Sequence, residues 1–160
     1  MDMSIITGLL QESLFMILVF SGFLALALLK GRYALINVIL ALYFGLLLYI
    51  KFPYFDFFLS ADSATGNAVV RIVIFLVFTM IGIMIFRRHI PGDDFEYAFQ
   101  HFKRKIILAL MATVLIMAYS YHVLPITELV TPGSPIHALF GQESYFFWWL
   151  ALPLFALFFV

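Results

Sequence analysis

Four histidines, nine carboxylates and no cysteine bound the chemistry open to this 160-residue chain. Without cysteine there is no disulfide, no thiolate metal site and no cysteine nucleophile. Two groups of reactive side chains remain. His89, Asp93, Asp94, Glu96 and His101 fall in one short stretch. Imidazole and carboxylate together can ligate a divalent metal, but the spacing matches no compact motif and H-E-x-x-H is absent. Asp93 followed by Glu96 reads instead as a capping box that starts a helix, so no metal is expected. His122, Glu128, His137 and Glu143 form the second group, with Ser120, Ser134 and Ser144 nearby. A Ser-His-carboxylate hydrolase needs such types, yet no G-x-S-x-G elbow is present. Thr131-Pro132-Gly133-Ser134-Pro135 reads as a turn. There is no P-loop, G-x-G-x-x-G or haem motif. No catalytic residues and no cofactor are expected.

Polar residues inside apolar runs are the next candidates. Glu12 is the one carboxylate within such a run. An ionisable group in the bilayer is a functional hypothesis by default, but Glu12 lies near the end of its segment, where headgroup level is the expected position. Arg71 opens another segment and is expected to snorkel outward. Asn37, Ala41 and Gly45 recur every four residues and share one helix face. Ala41 and Gly45 make a small-xxx-small pair, which lets a second backbone approach. Ser13, Ser21 and Ala25 offer a comparable face one segment earlier. The expected role of these faces is to pack helices one and two together. The sharper reading makes Asn37 part of a polar pathway with Glu12, Thr113 and Tyr119-Ser120-Tyr121-His122.

The elements that position these residues follow from composition. Apolar residues make up 65% of the chain and charged residues 11%. A soluble domain runs near half apolar and a quarter charged, and a small fold has too much surface to hide the excess. Nine basic and nine acidic residues balance, which lacks the basic surplus of a nucleic-acid surface. Five apolar segments stand near the roughly 20 residues a spanning helix needs: about 5–29, 33–50, 68–86, 106–124 and 145–160. Continuous runs of this length are helices, because lipid cannot satisfy free backbone groups. The expected fold is therefore all-α, a single membrane domain over 1–160, with about five membrane helices. Met1-Asp2-Met3-Ser4 lacks a basic n-region, so the first segment is expected to remain as an anchor.

Lys30 and Arg32 lie between segments one and two; Arg87, Arg88, Lys103, Arg104 and Lys105 lie between three and four. If all five segments span, these seven share one side, against Lys51 and Arg71 on the other. Basic residues mark the cytoplasmic face, which predicts an outside N-terminus and a cytoplasmic C-terminus. Two stretches read as interfacial. Phe52 to Leu59 is aromatic and broken from segment two by Pro53, so its rings are expected at outer headgroup level. On the inner side, 93–105 forms an amphipathic helix. Phe95, Phe99 and Phe102 make its lipid-facing stripe, and Lys103, Arg104 and Lys105 make its basic end. Segment five has Pro153 and an aromatic start at Tyr145-Phe146-Phe147-Trp148-Trp149. It covers only about 22 Å at 1.5 Å per residue.

The order of parts over residues 14–124 resembles the colicin V production protein family of bacterial inner-membrane proteins. The resemblance rests on a first helix closed by Lys30-Gly31-Arg32-Tyr33, then a second helix, an aromatic loop and a third helix over Tyr33 to Phe86. An amphipathic stretch then leads into a fourth helix over Asp93 to Leu124. The chain departs from that pattern in having no glycine between Gly92 and Gly133 and in its extra fifth segment. The resemblance implies a prokaryotic plasma membrane and a role in envelope homeostasis or export, with no enzyme class. The expectation is a non-enzymatic accessory or scaffold subunit. Its partners would be the lipid bilayer and another membrane protein or a second copy, with no nucleic acid. The alternative is a small transporter or channel subunit with its polar pathway near Asn37 and helix four.

Overall fold

A computed structural model describes residues 3–58, 64–90, 102–124 and 139–159. Among them there are six helices and no strand. They are α1 (Met3–Lys30), α2 (Arg32–Ile50), α3 (Phe55–Phe58), α4 (Ala64–His89), α5 (Phe102–His122) and α6 (Glu143–Phe159). Four of these, α1, α2, α4 and α5, contain stretches long and apolar enough to cross a membrane. The fifth apolar helix, α6, is shorter. At 17 residues it extends about 25 Å, just under a hydrocarbon core of roughly 30 Å. The protein is a membrane-embedded helix bundle.

One residue, Gly31, turns α1 into α2. Its φ of 81° lies where a β-carbon would strain the backbone, so glycine is required there. The Gly31 amide still donates to the Ala27 carbonyl at 3.0 Å, satisfying one of the orphan acceptors at the end of α1. Gly31 alone separates the two helices, which remain in contact.

The core is built on α2 and α5. Leu35, Ile39, Leu42, Leu46 and Tyr49 are buried on α2, at alternating spacings of four and three. That spacing draws one stripe along a helix. Leu108, Ala112, Leu115 and Tyr119 do the same on α5. The two stripes share a cluster with Ala27 of α1 and Phe75 of α4. Helix α4 packs chiefly on α2, α6 packs chiefly on α5, and α1 touches both α2 and α5. At the end where α2 stops, Phe52 lies edge-on to Phe55 at 5.2 Å and to Phe78 at 5.3 Å, while Tyr49 meets Phe55 at 5.0 Å. The aromatic stretch after α2 is thus folded back onto α2 and α4. Of its rings, Tyr54 and Phe57 are exposed.

Candidate functional site

A close backbone approach occurs along the seam between α2 and α4. A methyl group added at Gly45 would sit 2.5 Å from Thr79 Oγ1 and 3.2 Å from the Thr79 backbone nitrogen. One added at Gly82 would sit 3.1 Å from both Cα and Cβ of Ala41. One turn further, Asn37 Nδ2 donates to the Ile90 carbonyl at 3.2 Å. As the α2 numbers fall from 45 to 37, the partners rise from 79 to 90, so the helices run antiparallel. Asn37, Ala41 and Gly45 all lie buried on this seam. Their partner is α4. The sequence pairs this face with α1, but Ser21 and Ala25 of α1 are exposed, and the Ser21 hydroxyl donates to its own helix at Leu18. Thr79 and Gly82, which complete the seam, carry no strong signal in sequence. The available cue was a pair of small residues in an otherwise bulky apolar run.

Polar groups on α5 form a second feature. Lys105, Thr113, Tyr119 and Ser120 are buried. At 100° per residue they fall within roughly one third of the helix circumference. The Thr113 hydroxyl donates to the Ala109 carbonyl at 2.8 Å, and Ser120 donates to Ile116 at 2.8 Å. Thr79 on α4 does the same toward Phe75 at 2.9 Å. A hydroxyl bonded four residues back along its own helix is satisfied without water or a neighbour. Tyr119 presents its ring edge-on to Phe75 at 5.7 Å. Among the described residues, the Tyr119 hydroxyl, Asn37 Oδ1 and, on α4, Asn67 Oδ1 are buried without a hydrogen-bond partner.

Lys105 corrects the sequence reading most sharply. Phe102, Lys103 and Arg104 are exposed, as a lipid-facing basic end requires, but Lys105 is 0% exposed. Residues 102–105 already belong to α5, whose inward face recurs at Lys105, Leu108, Ala109 and Ala112. The helix period therefore draws the third basic residue into the bundle. Phe95 and Phe99, with most of the amphipathic stretch, lie outside the described residues.

At the opposite end, His122 Nε2 lies 2.6 Å from the Phe140 carbonyl and its ring lies tilted against Phe146 at 4.4 Å. Trp149 Nε1 donates to the Leu139 carbonyl at 3.2 Å, and its ring meets Phe140 at 4.6 Å. His122 and Trp149 therefore clasp the segment that leads into α6. Of the other members of the sequence-derived hydrolase group, Glu143 is exposed at the first position of α6, and Glu128 and His137 lie outside the described residues. On α6 itself, Tyr43 donates its hydroxyl to the Leu150 carbonyl, one turn before the internal proline, Pro153. A proline removes the amide that would bond the Trp149 carbonyl and disturbs that turn, and a donor from a neighbouring helix, here next to that carbonyl, is one way a membrane helix re-satisfies such a turn. Between Tyr43 and α6 lies an open apolar groove of about 730 Å³, lined by Phe147, Leu154, Phe155 and Phe158 among others.

Glu12 lies on α1 just before the apolar stretch Ser13–Lys30, among residues whose side chains are not described. His89 holds its Nδ1 2.9 Å from the Ile85 carbonyl. Asp93, Asp94, Glu96 and His101 lie outside the described residues. Among the described residues no three His, Asp or Glu side chains converge as metal ligands would. Comparison of the chain with protein-family models, with curated proteins and with solved structures finds no match.

Proposed function

We propose that this protein is a non-enzymatic accessory or scaffold subunit of a prokaryotic plasma membrane, engaging a membrane-protein partner or a second copy through its helix faces. The carrying observation is the handling of polar groups in the core. Thr79, Thr113 and Ser120 bond to carbonyls of their own helices, as in a dry bundle, and His122 bonds a backbone carbonyl within a packing contact. The resemblance to the colicin V production protein family supports a role in envelope homeostasis or export. The split of seven Lys and Arg against two supports a cytoplasmic placement of the basic end, with the N-terminus outside.

A second reading, a small transporter or channel subunit, draws on the unpartnered Asn37 Oδ1 and Tyr119 hydroxyl. Single cysteines at Thr113 and Ser120 separate the two in reconstituted vesicles. The scaffold reading expects both to resist a water-soluble thiol reagent; rapid labelling of both overturns it in favour of a wet pathway. Cysteines at Ser4, Gly92 and Ser134 test orientation in cells. Labelling of position 92 from outside, with 4 and 134 protected, reverses the proposed topology.

A further inference from the structure

Cations from four helix ends, those of α1, α4 and α5 exposed, converge on one end of the bundle. The Gly31 turn puts Lys30 and Arg32 together. The bond from Asn37 to Ile90 brings the end of α4, with Arg87 and Arg88, to the level where α2 begins. The ring contact of Phe75 with Tyr119 and the 3.5 Å approach of the Tyr49 hydroxyl to the Val123 carbonyl fix the far end of α5 beside the far end of α2. The start of α5, with Lys103 and Arg104, must therefore lie at the basic end. Lys30, Arg87, Arg88, Lys103 and Arg104 are exposed. Arg32 is half-buried, its guanidinium 4.9 Å above the Tyr33 ring and bonded to that hydroxyl at 3.1 Å.

Ordinary helix electrostatics accounts for part of this set. Lys30, Arg87 and Arg88 occupy the last turns of α1 and α4, where the helix dipole favours cations. It does not account for the rest. Helices α2 and α5 begin with basic residues and have no acidic residue in the first turn, where the dipole favours anions. In sequence, the stretches 30–32 and 87–105 together carry seven Lys and Arg against Asp93, Asp94 and Glu96, a net positive balance. The cations stand at the ends of the candidate membrane spans, where a span of about 20 residues meets the headgroups.

We propose that this end is a binding surface for the headgroups of anionic phospholipids, shared among the ends of α1, α2, α4 and α5. The bilayer is the partner because the cations border the apolar spans directly, with Phe102 exposed beside Lys103. A lipid can then place its phosphate on the cations and its chains along the helices.

The test uses the full chain, purified in mild detergent and placed in nanodiscs of phosphatidylcholine with increasing phosphatidylglycerol. Lipid retained after extraction is read by native mass spectrometry. The wild type should enrich phosphatidylglycerol over phosphatidylcholine at least tenfold, given roughly fivefold per cation near an anionic surface. The preference should shrink as salt rises, because these charges are exposed. Combined Lys30→Gln, Arg87→Gln, Arg88→Gln and Arg104→Gln should bring the preference close to one, with thermal stability in detergent as a check on folding. Lys51→Gln with Arg71→Gln, at the other end, should leave it unchanged. The proposal is overturned by equal retention of the two lipids by the wild type, or by equal losses from the two sets of variants. Displacement of phosphatidylglycerol by millimolar inorganic phosphate overturns it too, since that assigns the surface to a soluble anion.

Discussion

Helices α1 and α5 are both long and apolar enough to cross a bilayer, and they end up in opposite surroundings. Only 6% of the positions in the apolar stretch of α1 are buried, against 56% in that of α5. The more buried helix is the less hydrophobic one; α4, the most hydrophobic of the four, is only 17% buried. In water this order would be inverted. In lipid the surroundings are as apolar as the interior, so hydrophobicity gives no reason to go inside. Small residues that admit close packing and polar groups excluded by hydrocarbon decide the matter. Helix α5 has Ala109, Ala112 and Ala118 with Lys105, Thr113 and Ser120, all buried. Helix α1 presents Leu14, Ile17, Leu18 and Leu29 to the outside.

The contrast is broken most easily at the seam where α2 meets α4. Gly45→Leu must push Thr79 and its backbone away, and should lower stability by about 3 kcal/mol, the upper part of the usual range for overpacking. Ala25→Leu on exposed α1 adds bulk toward lipid and should stay within about 0.5 kcal/mol. Unfolding in mixed micelles measures both, and equal losses would mean that α1 packs through Ala25 after all.

Lys105 and Lys103 offer the same comparison within one turn of α5. Lys105→Ala removes a fully buried stem and its ammonium and leaves the group that meets the ammonium without it, and should cost about 2 kcal/mol or more. Lys103→Ala, on the exposed side, should cost at most about 0.5 kcal/mol. If the two substitutions prove equally mild in the same unfolding assay, Lys105 is not part of the core.

A smaller effect is expected where α6 is tied to the bundle. Tyr43→Phe deletes the bond to the Leu150 carbonyl and should cost about 0.6 kcal/mol, the average for hydrogen bonds between membrane helices. It should also raise amide hydrogen exchange in α6 around Leu150 while leaving α1 unchanged. Unaltered exchange in α6 would show that Pro153 needs no outside donor.

The smallest change should come from Thr113→Val. Its hydroxyl bonds only to its own helix, and the valine has nearly the same shape, so stability should move by less than about 0.5 kcal/mol. A loss beyond 1 kcal/mol, read by thermal unfolding, would reveal a bond to another helix or to water.

Much of the helical layout was legible beforehand because helices in lipid are dictated by length and apolarity. The segments expected at about 33–50 and 106–124 correspond to α2 at Arg32–Ile50 and α5 at Phe102–His122. The segment expected at 68–86 grew to Ala64–His89, since polar and basic residues at a span's ends keep helical geometry in the headgroup region. The candidate packing residues were legible only on one side. Asn37, Ala41 and Gly45 announce a close approach through their spacing, but a small-residue stripe does not name its partner. Ser21 and Ala25 have the same residue types and face outward.

Sequence alone thus determined that this chain is a helical membrane protein, where most of its helices run, and which stretches carry the basic charge. Those properties follow from composition and run length, which the bilayer reads locally along each segment. Tertiary structure alone decided that α4 rather than α1 fills the Gly45 face, that α5 lies at the centre, and that Lys105 is enclosed while Lys103 and Arg104 are not. Such choices depend on which helix faces fit at backbone distance and which polar groups must leave the lipid. Both are properties of pairs of helices, and a single run of sequence does not contain them.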